Sequence, residues 1–175
     1  DAVSLRRLIG EALTDRTPTY IRIGKKGEKD LVDPNAVAAI GELTTLKSGQ
    51  EVALLAVGTV AAEALSAVEA LSELGVDATL AFAHTVKPLP EAGIRQMLEG
   101  HRIVLTVEEH SVVGGFGESV ASLAQRTRYR GEVLNLGVPD VFLSQAGSQH
   151  YARGLVGIDA RSIVAAVKQS VLAAG

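Results

Sequence analysis

The chain has 175 residues, 47% of them hydrophobic but only 3% aromatic, with no Trp and no Cys. This composition argues against disorder and excludes disulfide frameworks, Cys-based zinc sites and thiol nucleophiles, leaving a core built from Ala, Val, Leu and Ile. The net charge of −3 offers no field for nucleic acid, and no apolar run reaches the ~18 residues of a membrane helix.

Residues 1 to 46 read differently from the rest. Val3, Leu5, Leu8, Ile9, Ala12 and Leu13 predict one amphipathic helix, broken by Thr14-Asp15-Arg16-Thr17-Pro18. Thr19 to Ile23 is a β-rich run, stopped by the polar Gly24 to Lys29 turn. One helix and one strand cannot close a core, since domains rarely fall below ~50 residues. Of two readings, docking onto the rest of the chain or the tail of a preceding domain, we favour the second. The start, Asp1 to Arg7, lacks both a methionine and the order of a signal peptide, so the chain reads as processed or cut from something longer. With no Cys, an intracellular, cytoplasmic protein is the expectation.

From residue 47 to 175 the pattern is regular. Strands are predicted at Glu51–Val57, Val76–Phe82, Ile103–Val107 and Glu132–Leu136. They alternate with helices at Val60–Leu74, Glu91–Glu99 and after Gly117, and Asp159 caps a last helix, Ala160–Leu172. Such alternation implies a three-layer αβα domain with a mainly parallel sheet of about five strands.

Candidate chemistry gathers after the strand Ile103–Val107. Glu108 and Glu109 invite an acid/base reading, but neighbours on extended chain point to opposite faces, so they are poorly placed to share one bound substrate. We expect one acid to face the loop or an interface and the other to make local hydrogen bonds. Gly114, Gly115 and Gly117 fail the dinucleotide fingerprint: Val120 takes the place of its third glycine, and residues 108–113 separate strand from glycine. Their expected role is tight turning and close packing, although the helix start could accept an anion through free amides.

The four histidines never stand at metal-ligand spacing. His101 follows Gly100 at a helix end, a solvated position, whereas His84 and His110 both follow strands and could approach one sheet edge. Ser111 has no G-x-S-x-G elbow around it. Pro88 and Pro90 suit a helix start, with Lys87 facing either a partner or water. Lys25 and Lys26, between Gly24 and Gly27, form a cationic turn able to hold a phosphate; a solvated loop is the simpler reading.

Three separated stretches then coincide: Thr106 to Gly117 (TVEEHSVVGGFG), Thr85 to Leu89 (TVKPL) and Gly137 to Asp140 (GVPD). Together with Gly157 to Ile163 they resemble the carboxyl-terminal domain of the transketolase family, most closely 1-deoxy-D-xylulose-5-phosphate synthase and the two-subunit transketolase-like proteins. The β subunits of 2-oxoacid dehydrogenases are similar too. The resemblance implies a parent enzyme that uses thiamine diphosphate and Mg, bound between a diphosphate-binding and a pyrimidine-binding domain across a dimer interface. Its reaction would transfer a two-carbon ketol unit between sugar phosphates. Residues 1–46 would be the pyrimidine-domain tail and linker, and 47–175 the carboxyl-terminal domain. The partners implied are the remainder of the parent enzyme or a partner subunit, in a homodimer or heterotetramer, with neither nucleic acid nor membrane.

Residue by residue, the resemblance places Lys25 where relatives carry an arginine on the substrate phosphate, and makes Arg22 a weaker candidate. It gives Glu108, Glu109, His110, Gly114, Gly115, Gly117 and Lys87 to a domain or dimer contact. No catalytic residue and no metal ligand is implied, because the family's Gly-Asp-Gly motif and activating glutamate are not in this sequence. The chain alone is therefore expected to be catalytically silent, serving assembly. From another class, a stand-alone binding or assembly module is the rival.

Overall fold

The computed structural model describes residues 1–24, 27–34 and 38–174. Helix α1 (Ala2–Thr14) opens the chain, capped by the Asp1 carboxylate, which accepts from Ser4 N at 2.8 Å. The other oxygen of Asp1 accepts from the amides of Leu31 and Val32 at 2.7 and 2.8 Å, and Val32 is buried in the main core. The expected run Thr19–Ile23 forms no ladder, and Tyr20, Ile21 and Ile23 are exposed. A strand exists only with a hydrogen-bonding neighbour, and no described strand of this chain supplies one.

The sheet contains β1 (Leu43–Lys47), β2 (Val52–Val57), β3 (Ala78–Ala83), β4 (Ile103–Ser111) and β5 (Glu132–Val138), in the order β1-β3-β2-β4-β5. All neighbours are parallel except β1, which lies antiparallel to β3. Central β2 reads VALLAV, a continuous apolar run with five buried residues, as a strand covered on both faces requires. After a 3₁₀ turn at Gly58–Val60, α2 (Ala61–Glu73) leads to β3; α3 (Glu91–Gly100) then crosses to β4, and α4 (Phe116–Arg126) joins β4 to β5. Two further helices, α5 (Gln149–Val156) and α6 (Ala160–Ala174), end the chain.

Alternation along the strands sends side chains to two cores. Val52, Leu54, Leu80, Phe82, Leu105 and Val107 pack under α2 and α6. Ala53, Leu55, Ala81 and Val104 pack under α3 and α4 with Ile94, Leu98, Phe116 and Leu123. Each fully buried Leu, Val or Phe contributes roughly 1.5–3 kcal/mol, so these two layers hold the domain. The three-layer mainly parallel reading stands.

Three elements depart from expectation. β1 lies in the stretch that reads as linker, although Leu-Thr-Thr-Leu is β-prone; an edge strand needs too few apolar residues to stand out. Helix α5 has no clear sequence signal because it is short and buries one side chain. β4 runs four residues past Val107, its register to β5 breaking and resuming at the pair Ser111↔Val138.

Candidate functional site

Folds of this kind place ligands at the carboxyl edge, where strand order reverses. Here the reversal lies between β2 and β4: β3 follows β2 to one side, and α3 then carries the chain back across. The edge holds two polar constellations, each built on one of the paired glutamates.

Glu108 turns inward and is 1% exposed. Its two oxygens accept from Phe116 N and Gly117 N, both at 2.8 Å, which are the first amides of α4. A carboxylate on a helix start gains from charge-assisted bonds and from the helix dipole. The glycines make that approach possible. A Cβ on Gly115 would meet the Glu108 oxygens at 2.5 and 2.6 Å and would collide with Ser111 O; one on Gly117 would stand 2.6 Å from Thr106 Oγ1. Gly114 supplies a left-handed turn, φ 73°, and its amide donates to Glu118 at 2.9 Å. Tight turning and close packing are therefore what these glycines do. The expectation of amides free for an anion is corrected: Glu108 already occupies those of Phe116 and Gly117.

Glu109 turns to the other face. Thr59 Oγ1, in the 3₁₀ turn just after β2, donates to it at 2.7 Å, Gln149 Nε2 at 2.9 Å and Arg153 Nε at 2.8 Å. The Arg153 guanidinium also reaches Thr59 Oγ1 at 3.0 Å and Glu63 Oε1 at 3.3 Å, and the residue is 9% exposed. Glu63, on the first turn of α2, accepts in addition from Ala160 N, and His150 Nδ1 lies 3.2 Å from it. These bonds to His150, Ala160 and Arg153 hold the Glu63 carboxyl below the usual range, against the burial that would raise it. Arg153 thus fills the crevice at the switch point. Nothing in the sequence spacing announces this network, in which Glu109, Glu63 and Thr59 lie 44, 90 and 94 positions from Arg153.

The histidines do not converge. His84 leans away from β4, bonding Thr44 Oγ1 of β1 at 2.7 Å and packing on the Phe82 ring at 4.5 Å. Burial lowers its pKa to about 4. His110 is exposed, its Nδ1 beside Ser111 O, with the whole of β2 between it and His84's strand. His101 is corrected from a solvated position: its ring lies within 3.2 Å of Thr79 Oγ1, Gly49 O and Met97 O. Lys87 and Arg22 are exposed, and Lys25 lies outside the described residues. A shallow groove of about 360 Å³ runs along Leu89, Gly114, Glu118, Ser119 and Arg126. Among the described residues, no three His, Asp or Glu side chains gather as a metal site, and no helix is long and apolar enough to cross a membrane.

Residues 41–163 match the family model for the transketolase carboxyl-terminal domain. The chain is 39% identical over 129 residues to a 1-deoxy-D-xylulose-5-phosphate synthase of Vibrio vulnificus (strain CMCP6), covering 74% of this chain and 20% of that protein. With the same enzyme of Azoarcus sp. (strain BH72) it shares 34% over 170 residues, 96% of this chain and 26% of the relative. It thus spans about a quarter of the length of these curated relatives. A solved structure described as a split gene transketolase, inactive beta4 tetramer, superposes with a TM-score of 0.84 at 30% identity, covering 97% of this chain and 54% of that one. Transketolase of Campylobacter jejuni shares the fold alone, with a TM-score of 0.53 at 14% identity over 74% of this chain. Model, relatives and fold agree that the chain belongs to the transketolase carboxyl-terminal domain family.

Proposed function

We propose that the chain is the carboxyl-terminal part of a thiamine diphosphate-dependent enzyme that transfers a two-carbon ketol unit between sugar phosphates. The observation that carries this reading is the likeness to the split gene transketolase over 97% of this chain. Synthesis of 1-deoxy-D-xylulose 5-phosphate is the second reading, favoured by the names of the curated relatives at 34 and 39% identity. In both, the cofactor's thiazolium carbanion would do the chemistry. The residues of this chain do not fit a diphosphate: the α4 amides are taken by Glu108 and the switch-point crevice by Arg153. Its role is therefore assembly.

The division into domains rests on this reading. Residues before β1 are the tail of a pyrimidine-binding domain, its run Thr19–Ile23 completing a sheet supplied by the rest of the enzyme, and the carboxyl-terminal domain begins with β1, a few positions ahead of residue 47. Arg22, inside that run, and Lys25, just after it, are the candidate phosphate contacts. Lys87, His110, Gly114 and Glu109, all at the carboxyl edge, form a domain or dimer contact, and Glu108, Gly115 and Gly117 shape the junction of β4 with α4 that belongs to it. The assembly is a homodimer or a heterotetramer in the cytoplasm.

The test is reconstitution. The chain is mixed with a polypeptide carrying the diphosphate-binding domain and the remainder of the pyrimidine-binding domain, with thiamine diphosphate and Mg, and turnover is followed on xylulose 5-phosphate plus an aldose phosphate acceptor and, separately, on pyruvate plus glyceraldehyde 3-phosphate. Ketol transfer from the first supports the main reading, and turnover of the second pair alone supports the synthase. Stabilisation of the isolated chain by the cofactor in a thermal shift would sink the claim that it only assembles.

A further inference from the structure

Helix α5 is attached to the domain unlike any other element. Of its eight residues only Arg153 is buried, a charged side chain where its neighbours bury Leu, Val and Ile. Gln149 and His150 add exposed polar contacts to Glu109 and Glu63, while Tyr151 and Leu155 face solvent. Residues 139–148 before it are exposed throughout, have no regular structure and carry Val141, Phe142 and Leu143 outward. Behind it, Gly157 turns the chain in a left-handed conformation, φ 75°, into buried Ile158 and the anchored helix α6. The helix is therefore tied at its carboxyl end by packing, where half-buried Val156 meets the main core, and along the rest of its length by one guanidinium. Beneath that guanidinium lie Thr59, in the turn that follows β2, and Glu109, near the end of β4, the two strands that flank the switch point.

Segments held by few apolar contacts open at lower free energy than the core, and a latch of ion pairs lacks the area-proportional hold of buried hydrocarbon. We infer that residues 139–156 form a strap, latched across the β2–β4 crevice by Arg153, which swings at Gly157 and opens as a unit while the sheet stays folded. Opening uncovers the Thr59 hydroxyl and the Glu109 carboxylate at the position where such sheets present ligands.

Native-state hydrogen exchange on the full chain, read by peptide mass spectrometry in low urea, tests this. Peptides of α5 are expected to exchange at least about tenfold faster than those of β2, with a weaker dependence on urea because little surface is exposed on opening. Arg153→Gln removes charge-assisted bonds and is expected to accelerate α5 by about tenfold. Should that variant fail to fold, Glu109→Gln, which leaves Arg153 its bond to Glu63, is expected to give a smaller acceleration in the same peptides. The strap is overturned if α5 and β2 share one exchange rate and one urea slope in the unaltered chain. It is equally overturned if the folded variant leaves α5 exchange unchanged.

Discussion

Glu108 and Glu109 are consecutive, yet they serve opposite sides of the sheet by different physics. The Glu108 side is closed: a fully buried carboxylate, two helix amides, and glycines so near that a methyl group has no room. The Glu109 side is a polar junction in which carboxylates from β4 and α2 share one arginine from a helix with no other buried residue. The first resembles a core that happens to be polar, where both carboxylate oxygens are paired with helix amides and the glycines leave no spare volume. The second ties together elements far apart in the chain through groups that also tolerate water. Sequence adjacency says nothing about mechanical role when the residue period is two.

The largest effect should come from breaking the closed side. Glu108→Ala leaves two helix-start amides buried without an acceptor and should cost about 3 kcal/mol, read from urea denaturation. A cost below ~1 kcal/mol would mean that the two sides are equivalent after all. Gly115→Ala should come next at about 2 kcal/mol, because the added methyl must displace either backbone at Ser111 or the Glu108 carboxylate. Glu109→Gln keeps the size and one acceptor on the partly solvated side and should cost only about 1 kcal/mol. If it matches Glu108→Ala, the contrast fails.

The smallest effect concerns His84 and appears as a pH dependence. Its folded pKa of about 4 lies below the ordinary 6.5, so the unfolded chain binds the proton first. The stability this neutral ring contributes is complete above pH 6.5 and is lost as pH falls towards 4. With the ring only half-buried, the loss should be on the order of 1 kcal/mol. His84→Gln should flatten that part of the slope relative to the unaltered chain, and an unchanged stability difference between about pH 7 and 4.5 would contradict the burial argument.

Long regular elements are legible without coordinates because their periodicity is local: VALLAV reads as a covered strand, and Asp159 announces α6, its carboxylate accepting from Ser162 N at 3.0 Å. The glycine motif marks a tight junction and a family. What occupies the helix amides is not legible, because Glu108 reaches them only when β4 extends past Val107 and places it beneath α4. Arg153 is invisible for a related reason. It sits on a short helix of mixed residues, and its value comes from Thr59, Glu63 and Glu109, which only the strand order brings to one point.

By itself the sequence determined the αβα class, the parallel core and the family, since apolar periodicity and motif wording are properties of consecutive residues. Tertiary structure alone decided which glutamate is buried and which is bridged, that the histidines stay apart, and that an arginine fills the crevice at the switch point. Those are facts about strand order and about distances between remote positions, fixed only when two faces of one sheet are packed at once.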